Sequence, residues 1–327
     1  GRDDGGTRNR VLYLDLSQTS GELKFLIDHA DAAYTFLGNQ GTRCWFYTDL
    51  NAPRGRIIEI DLARLGRQHW VEIVRERSEP INARDQTGGN ALGMYGNRFV
   101  LMYVQDGRPL IRIFDTKGRL TREIPVPIGG SIWGGFTGKQ REPEVFYSYL
   151  GLFDPSTTYR LNVLTGRQEL FHKTPIKFDR SRYAVKQVFY RSKDGTRVPM
   201  FIVHRKDLKL DGSNPAYMYG YGGMGWISFT WWRPHILSWL EMGGVYAQPS
   251  IRGGGEYGED WHQAGIKQNK QNAIDDYLAA AEWLLKNKYT SRGKLVANGG
   301  SLSGPLAGAT LQQEHEVVGA GPGDISG

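Results

Sequence analysis

The residues best suited to covalent chemistry form one short run, Gly299-Gly300-Ser301-Leu302-Ser303. It lies between the apolar stretch Leu295-Val296-Ala297 and a segment that can open a helix near Gly304-Pro305, where proline suits the first turn. A serine on a glycine-flanked turn from buried strand to helix is a nucleophile elbow. The requirement is steric. The turn forces strained backbone angles, and its flanking residues must be small for strand and helix to approach. The serine hydroxyl then projects beside the positive end of a helix, where it can take up an acyl group. The usual pattern is Gly-x-Ser-x-Gly. Here Ser303 holds the last glycine's place and Gly304 follows one residue late. A Gly-Ser loop that merely caps a helix has the same local composition, so the run alone leaves both readings open.

Two earlier segments could complete such a site. Tyr217-Met218-Tyr219-Gly220-Tyr221-Gly222-Gly223 ends a predicted strand in a glycine turn carrying several hydroxyls, and a hydroxyl can donate to a developing oxyanion. Ile251-Arg252-Gly253-Gly254-Gly255-Glu256-Tyr257-Gly258 follows another. Its three consecutive glycines predict close backbone passage rather than phosphate binding, since no Lys-Ser or Lys-Thr pair follows as a P-loop needs. A base is harder to find. In this arrangement the acid and histidine follow the serine in the chain, and only 26 residues remain after Ser301. His315 is 14 positions on; across a helix at ~1.5 Å per residue it would stand about 20 Å away, too far to act. Asp324 falls in a Gly- and Pro-bearing tail. His29, His69 and His172 belong to the N-terminal half, and His204, His235 and His262 are read as surface or core residues.

The elements that would carry these groups change rhythm near residue 180. Before it, short alternating strands are separated by Gly, Asn and Asp turns. Val11-Leu12-Tyr13-Leu14-Asp15, Ile57-Ile58-Glu59-Ile60-Asp61, Ile111-Arg112-Ile113-Phe114-Asp115 and Tyr159-Arg160-Leu161-Asn162 repeat one pattern, with closing residues 46, 54 and 47 positions apart. That spacing is near the period of four-stranded propeller blades and predicts three to four of them, with further strands at 43–48, 98–104 and 145–150. An open antiparallel sandwich is the alternative. After it, strands at 185–191 and 198–204 flank an Asp194-Gly195 turn, and 216–221 and 244–251 read as strands. Residues 272–288 predict an amphipathic helix, with Ile274, Tyr277, Leu278, Ala281 and Leu285 on one face and Asp275 and Asp276 near its positive end. Strand, helix, strand, helix implies a parallel α/β sheet.

Taken together, the run 209–216, the Tyr-Gly-Tyr-Gly-Gly stretch, residues 252–258, Asn269-Lys270-Gln271-Asn272 and Asn298 to Ser301 resemble the prolyl oligopeptidase family. Tyr257 after the triple glycine and the segment around Lys209 favour its prolyl branch over the oligopeptidase B, acylaminoacyl peptidase and dipeptidyl peptidase relatives. The resemblance implies a partial β-propeller of three to four blades over residues 1–175. An α/β-hydrolase domain, cut after the nucleophile elbow, would follow over 176–327. It implies a serine-type endopeptidase hydrolysing short peptides after proline. Ser301 would be the acylated nucleophile, Tyr221 the oxyanion hydroxyl and the Leu302 backbone N–H the second donor. Met224 would stand where the family places an aromatic lining the proline pocket, while Arg252 and Glu256 would brace the loop.

Composition bounds the rest. The net charge of +7 comes from Lys and Arg scattered among acids, which argues against a nucleic-acid partner. One cysteine, Cys44, excludes an intrachain disulfide framework and a cysteine-built metal site. The most apolar stretch, 226–240, is interrupted by Arg233, Pro234 and His235 and is too short to cross a bilayer. No signal segment opens the chain, no cofactor or metal is implied, and a monomer is expected in the cytoplasm, with the periplasm as the alternative. Gly1 in place of methionine, the open blades and the missing triad partners lead us to expect a fragment of a full peptidase. A shortened, inactive relative serving as a peptide-binding or scaffold module is the second reading. It draws on Leu302 and Ser303 in place of the usual Asn and Gly. A lipase- or esterase-like hydrolase sharing only the elbow is a third, opposed by the blades.

Overall fold

The computed structural model describes residues 8–16, 21–83, 91–313 and 323–324. Its first half is a series of antiparallel sheets. Strands β1 (Val11–Tyr13) and β2 (Lys24–Ile27) pair by themselves. Then come three four-stranded meanders: β3 (Tyr34–Gln40), β4 (Arg43–Thr48), β5 (Arg56–Asp61) and β6 (Val71–Val74); β7 (Leu92–Tyr95), β8 (Arg98–Gln105), β9 (Arg108–Asp115) and β10 (Leu120–Pro125); β11 (Gly130–Gly138), β12 (Glu144–Gly151), β13 (Asp154–Asn162) and β14 (Gln168–Lys173). The repeat read from the sequence falls on β1, β5, β9 and β13. In each complete sheet that is the third strand; β9 and β13 turn into the fourth across four and five residues, whereas nine residues with a short 3-10 turn at Arg67–His69 separate β5 from β6.

These sheets bury both faces. Along β8, Phe99, Leu101 and Tyr103 join one core with Trp45, Ile57 and Phe114, while Val100, Met102 and Val104 join another with Ile113, Val145 and Leu161. Alternating residues thus serve two neighbouring sheets, the face-to-face stacking of propeller blades rather than a two-layered sandwich. The fourth strands β10 and β14 are mostly exposed. The sequence did not point to the first strands β3, β7 and β11. Strand β7 is four residues long and wholly buried, and β11 breaks register between Trp133 and Phe136, where Gly134 and Gly135 take positive φ.

The second half is a six-stranded sheet in the order β15-β16-β18-β17-β19-β20. Its strands are β15 (Tyr183–Arg191), β16 (Arg197–Arg205), β17 (Ala216–Tyr219), β18 (Val245–Pro249), β19 (Leu295–Gly300) and β20 (Gly323–Asp324). The predicted parallel sheet is its larger part, β18, β17, β19 and β20, and the Asp194-Gly195 hairpin adds β15 and β16 as an antiparallel edge. Helices α1 (Pro234–Glu241), α2 (Glu259–Gln263), α3 (Lys270–Lys286) and α4 (Gly304–Gln313) complete it. Helices α3 and α4 pack on one face of the sheet through Ala273, Tyr277, Leu284 and Leu306; α1 packs on the other through Ile236 and Leu240. Helix α3 buries Asp276 beside Ala273, Tyr277 and Ala280, so this aspartate, which the sequence places only near the helix's positive end, is a core residue.

Candidate active site

The elbow is where the sequence predicts it. Strand β19 ends at Gly300, Ser301–Ser303 form a single tight turn, and α4 begins at Gly304. Ser301 is exposed and holds φ at 54°, a left-handed conformation that costs a non-glycine residue about 1–2 kcal/mol. Glycine at 299 is required by crowding, because a Cβ there would stand 2.1 Å from the Ser303 carbonyl oxygen. Ser303, where a glycine is usual, is fully buried and donates its hydroxyl to the Gly300 carbonyl at 2.7 Å. The extra side chain is thus absorbed as a hydrogen bond closing the turn. The Leu302 amide lies within this turn, directly ahead of the positive end of α4.

Tyr221 arrives from the neighbouring strand. Tyr219 ends β17 in register with Asn298 of β19, and the Gly220 amide donates to the Asn298 carbonyl at 3.1 Å. Two residues past β17 and one past β19, Tyr221 and Ser301 leave the same edge of the sheet. The Tyr277 hydroxyl fastens that edge: the Asn298 amide donates to it at 3.1 Å, and it lies 2.8 Å from the Met218 carbonyl and 3.0 Å from that of Asn298. The Tyr221 ring stacks on Trp226, with centroids 5.5 Å apart and planes 11° apart. Burial, then the neighbouring Tyr219, raises the Tyr221 pKa, so its hydroxyl keeps its proton through the neutral range and can donate.

The loop between them is held by backbone. Gly225 donates to Gly253, Gly255 donates to Trp226, and Lys270 Nζ donates to the Gly222 carbonyl at 2.9 Å. A Cβ on Gly253 would stand 2.4 Å from the Gly222 oxygen, and one on Gly255 2.3 Å from the Gly225 oxygen. The triple glycine is therefore the close backbone passage expected of it. Met224 sits on this loop, exposed and at φ 59°. The aromatic against Tyr221 is Trp226, which sequence reasoning passed over; a tryptophan two positions beyond the expected aromatic was the available signal.

Arg252 and Glu256 brace the loop from inside. The Arg252 guanidinium donates to Asp276 through Nε and Nη2, to Asp194 through Nη1 and to Ser192 Oγ, while its amide also donates to Asp276. That charge helps hold the Asp194 carboxyl down to about 2 against the opposing effect of burial. Glu256 is wholly buried, accepts the Ser228 amide at 2.8 Å, and has its other oxygen without a partner among the described residues. Burial pushes its pKa up to about 7.

No histidine among the described residues hydrogen-bonds Ser301. His204 is buried on β16 with Nδ1 2.6 Å from the Arg205 carbonyl, His262 lies 3.2 Å from Glu259, and His29 stands beside Asp28. His315 lies outside the described residues. Asp324 is described by its backbone, which pairs with Gly300. Among the described residues no group of three or more His, Cys, Asp or Glu could hold a metal ion, and no helix is long and apolar enough to cross a membrane.

Comparison with known proteins bears on the family and the fold. A family model described as the prolyl oligopeptidase N-terminal beta-propeller domain matches residues 3–174, and one described as the prolyl oligopeptidase family matches 228–321. The prolyl endopeptidase of Elizabethkingia miricola is 36% identical over 312 residues, which span 95% of this chain and 43% of that protein. The prolyl endopeptidase of Dictyostelium discoideum is 34% identical over 311 residues, 90% of this chain and 40% of that one. A solved structure from a study of two prolyl endopeptidases superposes with a TM-score of 0.88 at 37% identity, covering 97% of this chain and 45% of that one. Prolyl oligopeptidase B of Galerina marginata, bound to a 25mer macrocyclization substrate, gives 0.86 at 30% identity over 97% and 44%. The chain spans less than half the length of the relatives it matches.

Proposed function

The chain belongs to the prolyl oligopeptidase family, and we propose that the whole protein carrying it is a serine-type endopeptidase cleaving short peptides on the carboxyl side of proline. The observation that carries this reading is the left-handed Ser301 at the sheet edge from which Tyr221 also emerges. In the proposed reaction the Ser301 hydroxyl oxygen attacks the carbonyl carbon of the proline itself, and its proton passes to a base. The oxygen of the tetrahedral intermediate accepts hydrogen bonds from the Tyr221 hydroxyl and the Leu302 amide. Collapse expels the amine with that proton and leaves an acyl ester on Ser301, which water hydrolyses in the reverse proton sequence.

The base and the acid that orients it are assigned, in this proposal, to chain beyond that described here. Met224 and Trp226 are assigned to the wall receiving the proline ring, Trp226 as its aromatic part. The blades restrict access to short, flexible peptides, and the protein works as a monomer. Cys44, a single buried thiol, suits the reducing cytoplasm.

Peptides that differ only in the residue before the cleaved bond test the reading. Proline is expected to be favoured over alanine, arginine or lysine by about a hundredfold in kcat/KM, the scale of discrimination by a shaped pocket. Equal or faster cleavage after arginine or lysine would overturn it.

A further inference from the structure

Arg233 has no function in the account so far, yet its surroundings are unusual for an arginine. It is half-buried at the start of α1, and among the described residues it makes no ion pair and no side-chain hydrogen bond. The more deeply buried arginines are paired: Arg252 with Asp276 and Asp194, and Arg112 with Glu79 and Glu123. Arg233 is held by rings instead. Its guanidinium carbon lies 3.9 Å from the centroid of Tyr219 and 4.9 Å from that of Trp231. Trp231 meets Trp133 of β11 edge-to-face at 5.5 Å and 88°, so the group reaches from the blades to the sheet. Rings satisfy the flat faces of a guanidinium but not its N–H edges, which form a planar fork matched to a carboxylate. A half-buried cation with its fork unclaimed is a site that an anion would complete.

The group also lies beside the reacting serine. Tyr219 ends β17 next to Asn298, and its hydroxyl stands 4.0 Å from where a Cβ on Gly300 would be, one residue before Ser301. Arg233 is therefore one ring away from the elbow. Its charge is felt locally: after burial, it is the second cause holding down the pKa of His235.

We propose that Arg233 is a specificity residue that binds a carboxylate of the peptide substrate within a few residues of the cleaved bond. The assignment rests on reading Ser301 as the nucleophile. The carboxylate has two sources, the peptide's own C-terminus or an acidic side chain, and both present the same bidentate acceptor to the fork.

Binding to the whole protein carrying Ser301→Ala, measured by calorimetry, separates this inference from turnover. Three proline peptides are compared: one neutral, with glutamine and a C-terminal amide; one with glutamine and a free C-terminus; one with glutamate and an amide. At least one charged peptide should bind about tenfold tighter than the neutral one, the order of one charge-assisted pair at a partly exposed site. Whichever responds identifies the source. Adding Arg233→Gln should shrink that gap to about twofold or less, and Arg233→Lys, which keeps the charge without the fork, should leave part of it. Equal binding of all three peptides, or a gap that survives Arg233→Gln, overturns the proposal. Should the glutamine variant lose its near-ultraviolet circular dichroism, the lysine variant decides, and an unchanged gap in it is the contrary result. Turnover of the neutral peptide with Ser301 intact is read separately. Its absence, with the binding gap present, sinks the nucleophile assignment and leaves the carboxylate site standing.

Discussion

At the scale of single residues, Ser301 stores its strain in the backbone while its side chain stays exposed at the turn. Glycine adopts φ near 54° without that cost, so Ser301→Gly should abolish turnover and raise the unfolding free energy by up to about 1 kcal/mol. Denaturant unfolding beside a peptide assay checks both; a clear loss of stability would mean that the serine side chain holds the turn. Tyr221→Phe removes a hydroxyl kept protonated by burial, and should lower turnover of the whole protein by about a hundredfold, the usual effect of losing one oxyanion donor. Little change would show that backbone donors suffice. Ser301 and the triple glycine were legible in the sequence because their requirements are local: a tight turn and a close passage. Asp276 was not. Its partner Arg252 is 24 positions away, and only the packed fold shows that this acid faces the core. Arg233 was missed for the same reason, since its ring partners are known only from the fold; Trp226 left one mark, its place two positions beyond the expected aromatic.

Among the elements, the third strand of each sheet was readable because apolar alternation there ends in an Asp or Asn turn. The first strands were not: β7 is short and apolar throughout, and β11 is broken by glycines. Helix α1 was hidden inside an aromatic run whose only signal was Pro234 at its first turn. The loop that carries Trp226 hangs on Glu256 through the Ser228 amide. Glu256 has its pKa raised from 4.5 to about 7. A carboxyl raised in this way stabilises the fold fully below about pH 4.5, and that contribution is lost as pH climbs to about 7. Glu256→Gln does not titrate, so its thermal midpoint should gain on that of the natural protein between pH 5 and pH 8. Melting curves at the two values check the sign. A gap that stays constant would show that Glu256 keeps one charge state across the window.

For the whole molecule, blades and sheet are joined by specific contacts rather than by the chain alone. Tyr257 donates its hydroxyl to Asp106 at 2.7 Å, Gln187 donates to the Asp106 carbonyl, and the Glu259 amide donates to the Pro53 carbonyl at 2.9 Å. Ile227 and Phe229, on the segment after Tyr221, are buried in a core that is otherwise built from blades. The loop that carries Tyr221 and Trp226 is thereby anchored in both halves, so in the proposed mechanism the blades would help to position the chemistry as well as to screen it. That coupling was not legible, because each half was read by its own rhythm. The central claim is that Ser301 is the group acylated when a peptide is cleaved after proline. Its most direct test is to treat the whole protein with a serine-directed fluorophosphonate, map the adduct by mass spectrometry and follow cleavage of a proline peptide in parallel. The account predicts one adduct, on Ser301, with activity lost in step with labelling. An adduct on another serine, or cleavage that persists once Ser301 is fully labelled, would contradict it.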